Sequence, residues 1–328
     1  DGAQVSRRSL TFVLLSALIL AAILFGLSIG PVPISFLELS ETDKEILVNL
    51  RLPRVLSAFL VGGGLALAGA IFQGLFRNPI ADSYLLGVSS GASLGAAAAI
   101  VFKLASPLAS FAAVSVFAFA GSLTALALVF YFGHRQGGFS IFRLLLSGLG
   151  VGLFLSSLVA IFMLMAGEEL KALIFFFLGG FSTSSWDTTW VSLACIPLAA
   201  LTACYFAPEL NLLLLGEETA QSSGVRTGRI QLIFAIVAAL LTSISVSVAG
   251  LIGFVGLIVP HMIRLSFGAD HRTLLPLTFF SGGIFLVLCD AAARTVMAPA
   301  ELPVGIVTSL VGVPIFLYMI RKESSDLG

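Results

Sequence analysis

Apolar residues occupy this chain in long blocks separated by short polar punctuation. The blocks fall at about residues 10–30, 54–76, 83–103, 108–132, 143–166, 190–207, 230–250, 252–267, 274–293 and 304–320. About 20 mostly apolar residues are needed for a helix to cross the hydrocarbon of a bilayer. The pattern therefore predicts ten spanning helices in a single transmembrane domain over residues 1–328. The stretch 230–267 is too long for one crossing and divides near Gly250. Between the fifth and sixth blocks, a polar unit from Glu168 to Asp187 encloses the apolar piece Leu173 to Phe181. That piece is too short to cross and reads as a re-entrant or interfacial helix.

Composition strengthens the reading. Hydrophobic residues make up 58% of the chain and charged residues 10%, with a mean hydropathy of +1.10. A soluble domain carries roughly 25% charge, so this chain lacks the polar skin that water requires, and its outer solvent is hydrocarbon. The fold class is an all-α integral membrane protein. A formal net charge of zero argues against a nucleic-acid partner. Cys195, Cys204 and Cys289 sit in apolar runs and outline neither a disulfide framework nor a metal cluster.

Lysine and arginine bias sets the expected orientation. With both termini in the cytoplasm, eleven basic residues lie inside (Arg7, Arg8, Arg77, Arg135, Arg143, Arg226, Arg229, Arg264, Arg272, Arg321, Lys322). Six lie outside (Lys44, Arg51, Arg54, Lys103, Lys171, Arg294). Ser6-Arg7-Arg8 ahead of the first block resembles a twin-arginine export signal. With nine further blocks following and no small-residue cleavage site, it is read as the first span.

Glycine recurs in clusters: Gly62-Gly63-Gly64, Gly69 and Gly74; Gly87, Gly91 and Gly95; Gly148 and Gly152; Gly250, Gly253 and Gly256. Small residues at four-residue spacing let helix backbones approach closely in lipid; a glycine-lined pore is the alternative. Catalytic chemistry finds little support. A phosphate-binding loop needs glycine ahead of lysine, and none of Lys44, Lys103, Lys171 or Lys322 follows a glycine. His134, His261 and His271 lack metal-ligand spacing, and no Ser-His-Asp order stands out. The chain is not expected to be an enzyme or to bind a cofactor of its own.

Charge inside spans is costly and nearly absent. Asp290 precedes Arg294 by four residues, the spacing of a helical ion pair; a proton relay is the other reading. An ion-gradient-coupled secondary transporter, the alternative function, would need mid-membrane acids or histidines that the spans largely lack. Energy must then enter through partners at the polar faces. Outside, Arg51, Arg54 and Arg294 offer guanidinium forks to carboxylates of a docking protein, or alternatively snorkel to lipid headgroups. Inside, the longest connection runs from Glu209 to Arg229, with an apolar edge at Leu212 to Leu215, a short helix expected from Glu217 to Ser223, and Gly224 suited to end it.

Six pieces in order carry a family resemblance: RLPR (51–54), GAIFQGLFRNPIADSYLLGVSSGASLG (69–95), LNLLLLGEETAQSSGV (210–225), GLIGFVGLIVPHMIRL (250–265), DHRTLLP (270–276) and AELPVG (300–305). The chain resembles the permease subunits of type II ATP-binding-cassette importers, the FecCD/BtuC family of siderophore, haem and cobalamin permeases. The resemblance implies a BtuC-like fold, a homodimer around one pathway, and residence in a bacterial or archaeal cytoplasmic membrane. It implies two cytosolic ATPases that carry ATP and Mg, and a periplasmic or lipid-anchored binding protein. By the same resemblance Arg51, Arg54 and Arg294 meet the binding protein, while Leu214, Gly216, Glu217, Glu218 and Gly224 belong to the segment that couples to the ATPase. The fifth span and following short helix (143–181) then line the pathway and help form the dimer centre. Ser147, Ser156, Ser182, Thr183 and Ser184 are the hydroxyl-bearing candidates for the lining. The expected cargo is a metal chelate, with ferric siderophore or haem ahead of cobalamin.

Overall fold

A computed structural model describes the backbone of residues 2–30, 40–104, 110–133 and 141–326, and the side chains of 15–30, 40–104, 113–133, 141–319 and 321. The side chains of Arg7, Arg8, His134, Arg135 and Lys322 lie outside that set. All regular structure among the described residues is helical. In chain order it comprises α1 (Gly2–Ser28), α2 (Glu41–Glu45), a π-helical turn (Ile46–Arg51), α3 (Leu52–Phe76), α4 (Val88–Val101), α5 (Ser110–Gly133) and α6 (Ile141–Met165). There follow a 3-10 turn (Gly167–Glu169), α7 (Leu170–Leu178), α8 (Trp186–Tyr205), α9 (Ala207–Leu214), α10 (Glu217–Ser222), α11 (Thr227–Ala249), α12 (Val255–Phe267), α13 (His271–Thr295) and α14 (Val304–Asp326).

Each apolar block contains one long helix, and the division near Gly250 separates α11 from α12. Among the residues with described side chains, six helices are long and apolar enough to cross a bilayer: the continuous Glu41–Phe76, then Ala113–Gly133, Ile141–Met165, Trp186–Tyr205, Thr227–Ala249 and His271–Thr295. Within the same residues, four further apolar helical stretches are shorter: Leu15–Ser28 of α1, Val88–Val101, Val255–Phe267 and Val304–Met319. The short helix expected at 173–181 is α7, displaced a few residues toward the N-terminus.

The core is built around α3. Its spanning window is 94% buried inside the chain, against 28% for α5 and α8 and 33% for α6. A helix apolar on all sides belongs in a core when its partners are protein and not lipid, and α3 packs against α13, α11, α12 and α8. Its glycines permit this: a Cβ on Gly69 would overlap the backbone carbonyl of Gly256, and one on Gly62 that of Gly282. The glycine clusters thus serve helix packing. The outer faces of α6 and α8 carry the exposed apolar residues Leu146, Leu149, Leu153, Leu164, Trp190 and Leu198.

One expected helix is shorter than its block. The run 83–103 yields a helix only from Val88, because Gly87 stands at the cap with φ +67°. Gly91 and Gly95 do pack on α5, but Gly87 meets the backbone of Gly148 and Gly152 on α6, so the three do not share one helical face. The non-helical approach to α4 is bonded to the α11–α12 break: the Tyr84 hydroxyl accepts from the Ile252 N–H and donates to the Ile252 carbonyl, both at 2.8 Å. Backbone freed from helices inside a membrane must find such partners.

Candidate functional site

Two polar regions occupy opposite ends of the molecule, and α3 and α13 run between them in opposite directions. α3 starts beside Arg54 and ends beside α10; α13 starts beside α9 and ends at Arg294. Twenty-five residues of α-helix rise about 37 Å, somewhat more than a hydrocarbon core of about 30 Å.

At the first end, three arginines expected to face solvent are turned inward. Arg294 is 2% exposed and forms the anticipated i,i+4 pair with Asp290, Nε to Oδ2 at 3.0 Å. Arg54 grips the other side of the same carboxylate at 2.9 Å, and its Nη1 donates to both oxygens of Glu301 at 3.0 Å. Asp290 is therefore a fully buried carboxylate between two guanidinium groups, as a buried charge requires. Arg51 donates to the Leu27 and Ser28 carbonyls, and Arg294 to those of Gly26 and Ile29. The last carbonyls of a helix have no partner within it and lie at its negative pole. Two arginines, one from the π-helical turn that leads into α3 and one from α13, thus close the C-terminus of α1. Within the Asp290–Arg54–Glu301 chain, Glu301 is the accessible member, its side chain 30% exposed against 12% for Arg54 and 1% for Asp290.

The second end is more open. α9 and α10 meet at Gly216, whose φ of +123° suits glycine alone, and Gly224, at φ +86°, follows α10 as expected. Glu217, Glu218 and Thr219 are exposed, Leu214 is half-buried, and Ala220 anchors α10 from beneath. Polar ties hold the unit to three helices, with Gln221 of α10 donating to Thr227 at the start of α11 at 3.2 Å. Arg77, after α3, donates to the Leu213 carbonyl in the last turn of α9. Gln231 on α11 donates to Glu217 at 2.8 Å. Asn211 on α9 binds Asp270 and His271 at the head of α13. A cleft of about 550 Å³ lies between Gly74–Arg77 and Leu213–Thr219, closed on its sides by Ile141 and Gln231.

The hydroxyl residues expected along a pathway are not gathered together. Ser147 sits near the start of α6, and the eighteen residues from it to Met165 rise about 27 Å. Ser182, Thr183 and Ser184 follow α7 at the arginine end; the first two are exposed. Ser156 is bonded to Ser90 on α4 at 3.0 Å.

Sequence reasoning singled out the arginines and the 209–229 connection but missed four of their partners. Glu301, Asp270 and Asn211 lay inside motifs without an individual role, and Gln231 lay outside them. Polar residues interrupting apolar runs near a predicted coupling loop were the available signal.

A model of the FecCD transport family matches residues 18–322. The Hemin transport system permease protein HmuU of Yersinia pestis is 38% identical over 330 residues, covering 98% of both chains. The Cobalamin import system permease protein BtuC of Halobacterium salinarum is 40% identical over 283 residues, 86% of this chain and 75% of that one. YvrB of Bacillus subtilis, described as an ABC transporter permease, is 40% identical over 281 residues, 85% of this chain and 80% of the other. Among solved structures, an inward-facing transporter described as metal-chelate type superposes with a TM-score of 0.86 at 32% identity, covering 94% of this chain and 97% of its own.

Proposed function

The chain belongs to the FecCD transport family, and on that premise we propose that it is the membrane-spanning permease subunit of an ATP-driven importer for a metal chelate, haem or a cobalamin. The observation that carries the reading is the α9–Gly216–α10 unit: an exposed short helix at one end of the bundle, tied separately to α3, α11 and α13. A soluble motor pressing on α10 thereby acts on the helices that form the core. The four shorter apolar helices are counted with the six long ones as crossings, giving ten, with α7 and the arginine cluster outside and α10 in the cytoplasm. Two copies enclose the pathway, two cytosolic ATPases engage α10, and a binding protein delivers cargo to the arginine end. The exposed apolar faces of α6 and α8 suit lipid and the second copy.

Transport then follows alternating access. ATP-driven closure of the ATPase pair moves α10, and the tilt of the core helices changes so that the pathway opens on one side and shuts on the other. A large rigid chelate passes through a wide cavity of apolar and hydroxyl surface without a tight site. At the docking face, a carboxylate on the binding protein competes with Glu301 for Arg54. The cargo is read as a ferric siderophore or haem.

The test is reconstitution in proteoliposomes with the ATPase and binding protein. Loaded binding protein is expected to stimulate ATP hydrolysis, and uptake is expected to persist without an ion gradient. Uptake that continues without the ATPase and collapses with the gradient would establish a secondary transporter instead.

A further inference from the structure

The head of α13 carries a polar stretch, Asp270-His271-Arg272, that neither cargo delivery nor ATPase contact employs. The structure joins it to α9 through one side chain. Asn211 Nδ2 donates to Asp270 Oδ1 at 2.7 Å, while Asn211 Oδ1 accepts from the His271 backbone N–H at 2.9 Å and meets His271 Nδ1 at 2.8 Å. The amide has one workable orientation. Turned over, it would set N–H against N–H at His271 and oxygen against carboxylate at Asp270. His271 Nδ1 must therefore carry the ring proton. Nε2, buried beside Gly74, has no hydrogen-bond partner among the described residues.

Asp270 is also the N-cap of α13, accepting from the Arg272 N–H at 3.0 Å, and it pairs with the Arg272 guanidinium at 2.7 Å. A single amide thus holds both the capping carboxylate and the first residue of a 25-residue helix. That helix start depends on outside support. Pro276 in its second turn offers no N–H to the Arg272 carbonyl, so one intrahelical bond is missing there. The other ties of the coupling unit reach α3 and α11; Asn211 reaches the helix whose far end bears Asp290 and Arg294.

We propose that Asn211 is a positioning residue that clips the coupling unit to the head of α13, so that displacement of α10 is delivered to α13 and along it to the arginine cluster. The proposal rests on the reading of α10 as the ATPase contact. Asn211 touches neither ATPase nor cargo in this scheme and acts through Asp270 and His271. A two-state helix biased from both ends is the physical content that coupling between distant sites requires.

The experiment uses the permease–ATPase complex with binding protein in proteoliposomes, measuring ATP hydrolysis and uptake in the same vesicles. Asn211→Ala is expected to keep ATP hydrolysis while uptake per ATP falls about tenfold, within the usual range of coupling between sites. Asn211→Asp alone sets two carboxylates face to face and is expected to uncouple at least as strongly. Combining Asn211→Ala with Asp270→Ala closes a double-mutant cycle on the contact, since Asp270 Oδ1 accepts from Asn211 as well as from the Arg272 N–H. The double variant is expected to couple no worse than the poorer single variant, because both act through one contact. Wild-type coupling in Asn211→Ala would overturn the clip, as would strictly additive losses in the folded double variant. A Glu217→Ala/Glu218→Ala variant run in parallel separates the two layers. If it leaves coupling intact, the reading of α10 fails; if it uncouples and Asn211→Ala does not, the clip alone fails.

Discussion

The two polar ends of this molecule hold similar numbers of charges in opposite ways. At the arginine end, Asp290 is buried between Arg54 and Arg294, and helix-terminal carbonyls take up the remaining donors. At the other end, Glu217 and Glu218 are exposed on the six-residue α10, which Gln231 and Thr227 bind directly, while Arg77, Asp270 and His271 hold the adjoining α9. The difference is one of dielectric. A buried charge must keep its partners because water cannot replace them, whereas an exposed one trades protein for solvent at little cost. The first end is accordingly a joint among α1, α3 and α13 whose charges water cannot take over, and the second is an attachment whose exposed charges water can solvate; under the proposed function, the latter is where the ATPase acts.

The largest contrast comes from Asp290→Ala. It leaves the buried Arg294 without a carboxylate and Arg54 with Glu301 alone, and is expected to destabilise the protein by about 3–5 kcal/mol, read as a large drop in thermal midpoint in detergent; a midpoint near wild type would mean that water already solvates the cluster. Glu301→Gln, at the exposed edge of the same cluster, removes a charge that Arg54 can replace with solvent. Its cost is expected to stay under about 1 kcal/mol, while binding-protein affinity at low salt rises because its competitor at Arg54 is weakened. Weaker docking would show instead that Glu301 is itself part of the docking surface. Glu217→Ala is expected to change stability by no more than about 0.5 kcal/mol and yet lower uptake per ATP, separating coupling from folding. A loss of several degrees in midpoint would mean that the Gln231 tie is structural.

The smallest effect concerns pH. The Asp270 carboxylate is held well below the ordinary carboxylate range, chiefly by the hydrogen bonds from the Arg272 side chain and with help from the Arg272 N–H and Asn211. A carboxylate lowered by folding stabilises the folded state above its unfolded pKa of about 3.9 and loses that contribution as pH falls through the folded value. The Asp270 contribution, read as the difference in corrected amide exchange at the head of α13 between wild type and Asp270→Asn, should therefore be flat from pH 8 to pH 5. A difference that changes near pH 6 would mean that Asp270 acts through His271.

Much of the fold was legible because lipid leaves little choice. A run of twenty apolar residues must be helical, and a break such as Gly250 must interrupt it, so helix positions followed from the order of residues. α4 shows where that logic stops: Ser83 to Gly87 opens an apolar block yet lies in non-helical backbone, where the Tyr84 hydroxyl bonds Ile252, 168 residues away. The arginines show a second limit. That they share one end was readable, but the sequence placed them facing solvent, and only the approach of α1, Asp290 and Glu301 turned them inward. Asp290–Arg294 was foreseen because i,i+4 spacing is local; Arg54–Asp290 joins residues 236 apart and had no local signature.

By itself, then, the sequence determined that the chain lies in lipid, that its helices pack through glycine, that one loop carries a short helix, and which family it resembles. Each follows from composition or from neighbours along the chain. Tertiary structure decided which helices form the core, where buried charges find partners, and that Asn211 joins the coupling unit to α13. Those outcomes depend on contacts between distant segments, whose energies exist only once the helices have packed.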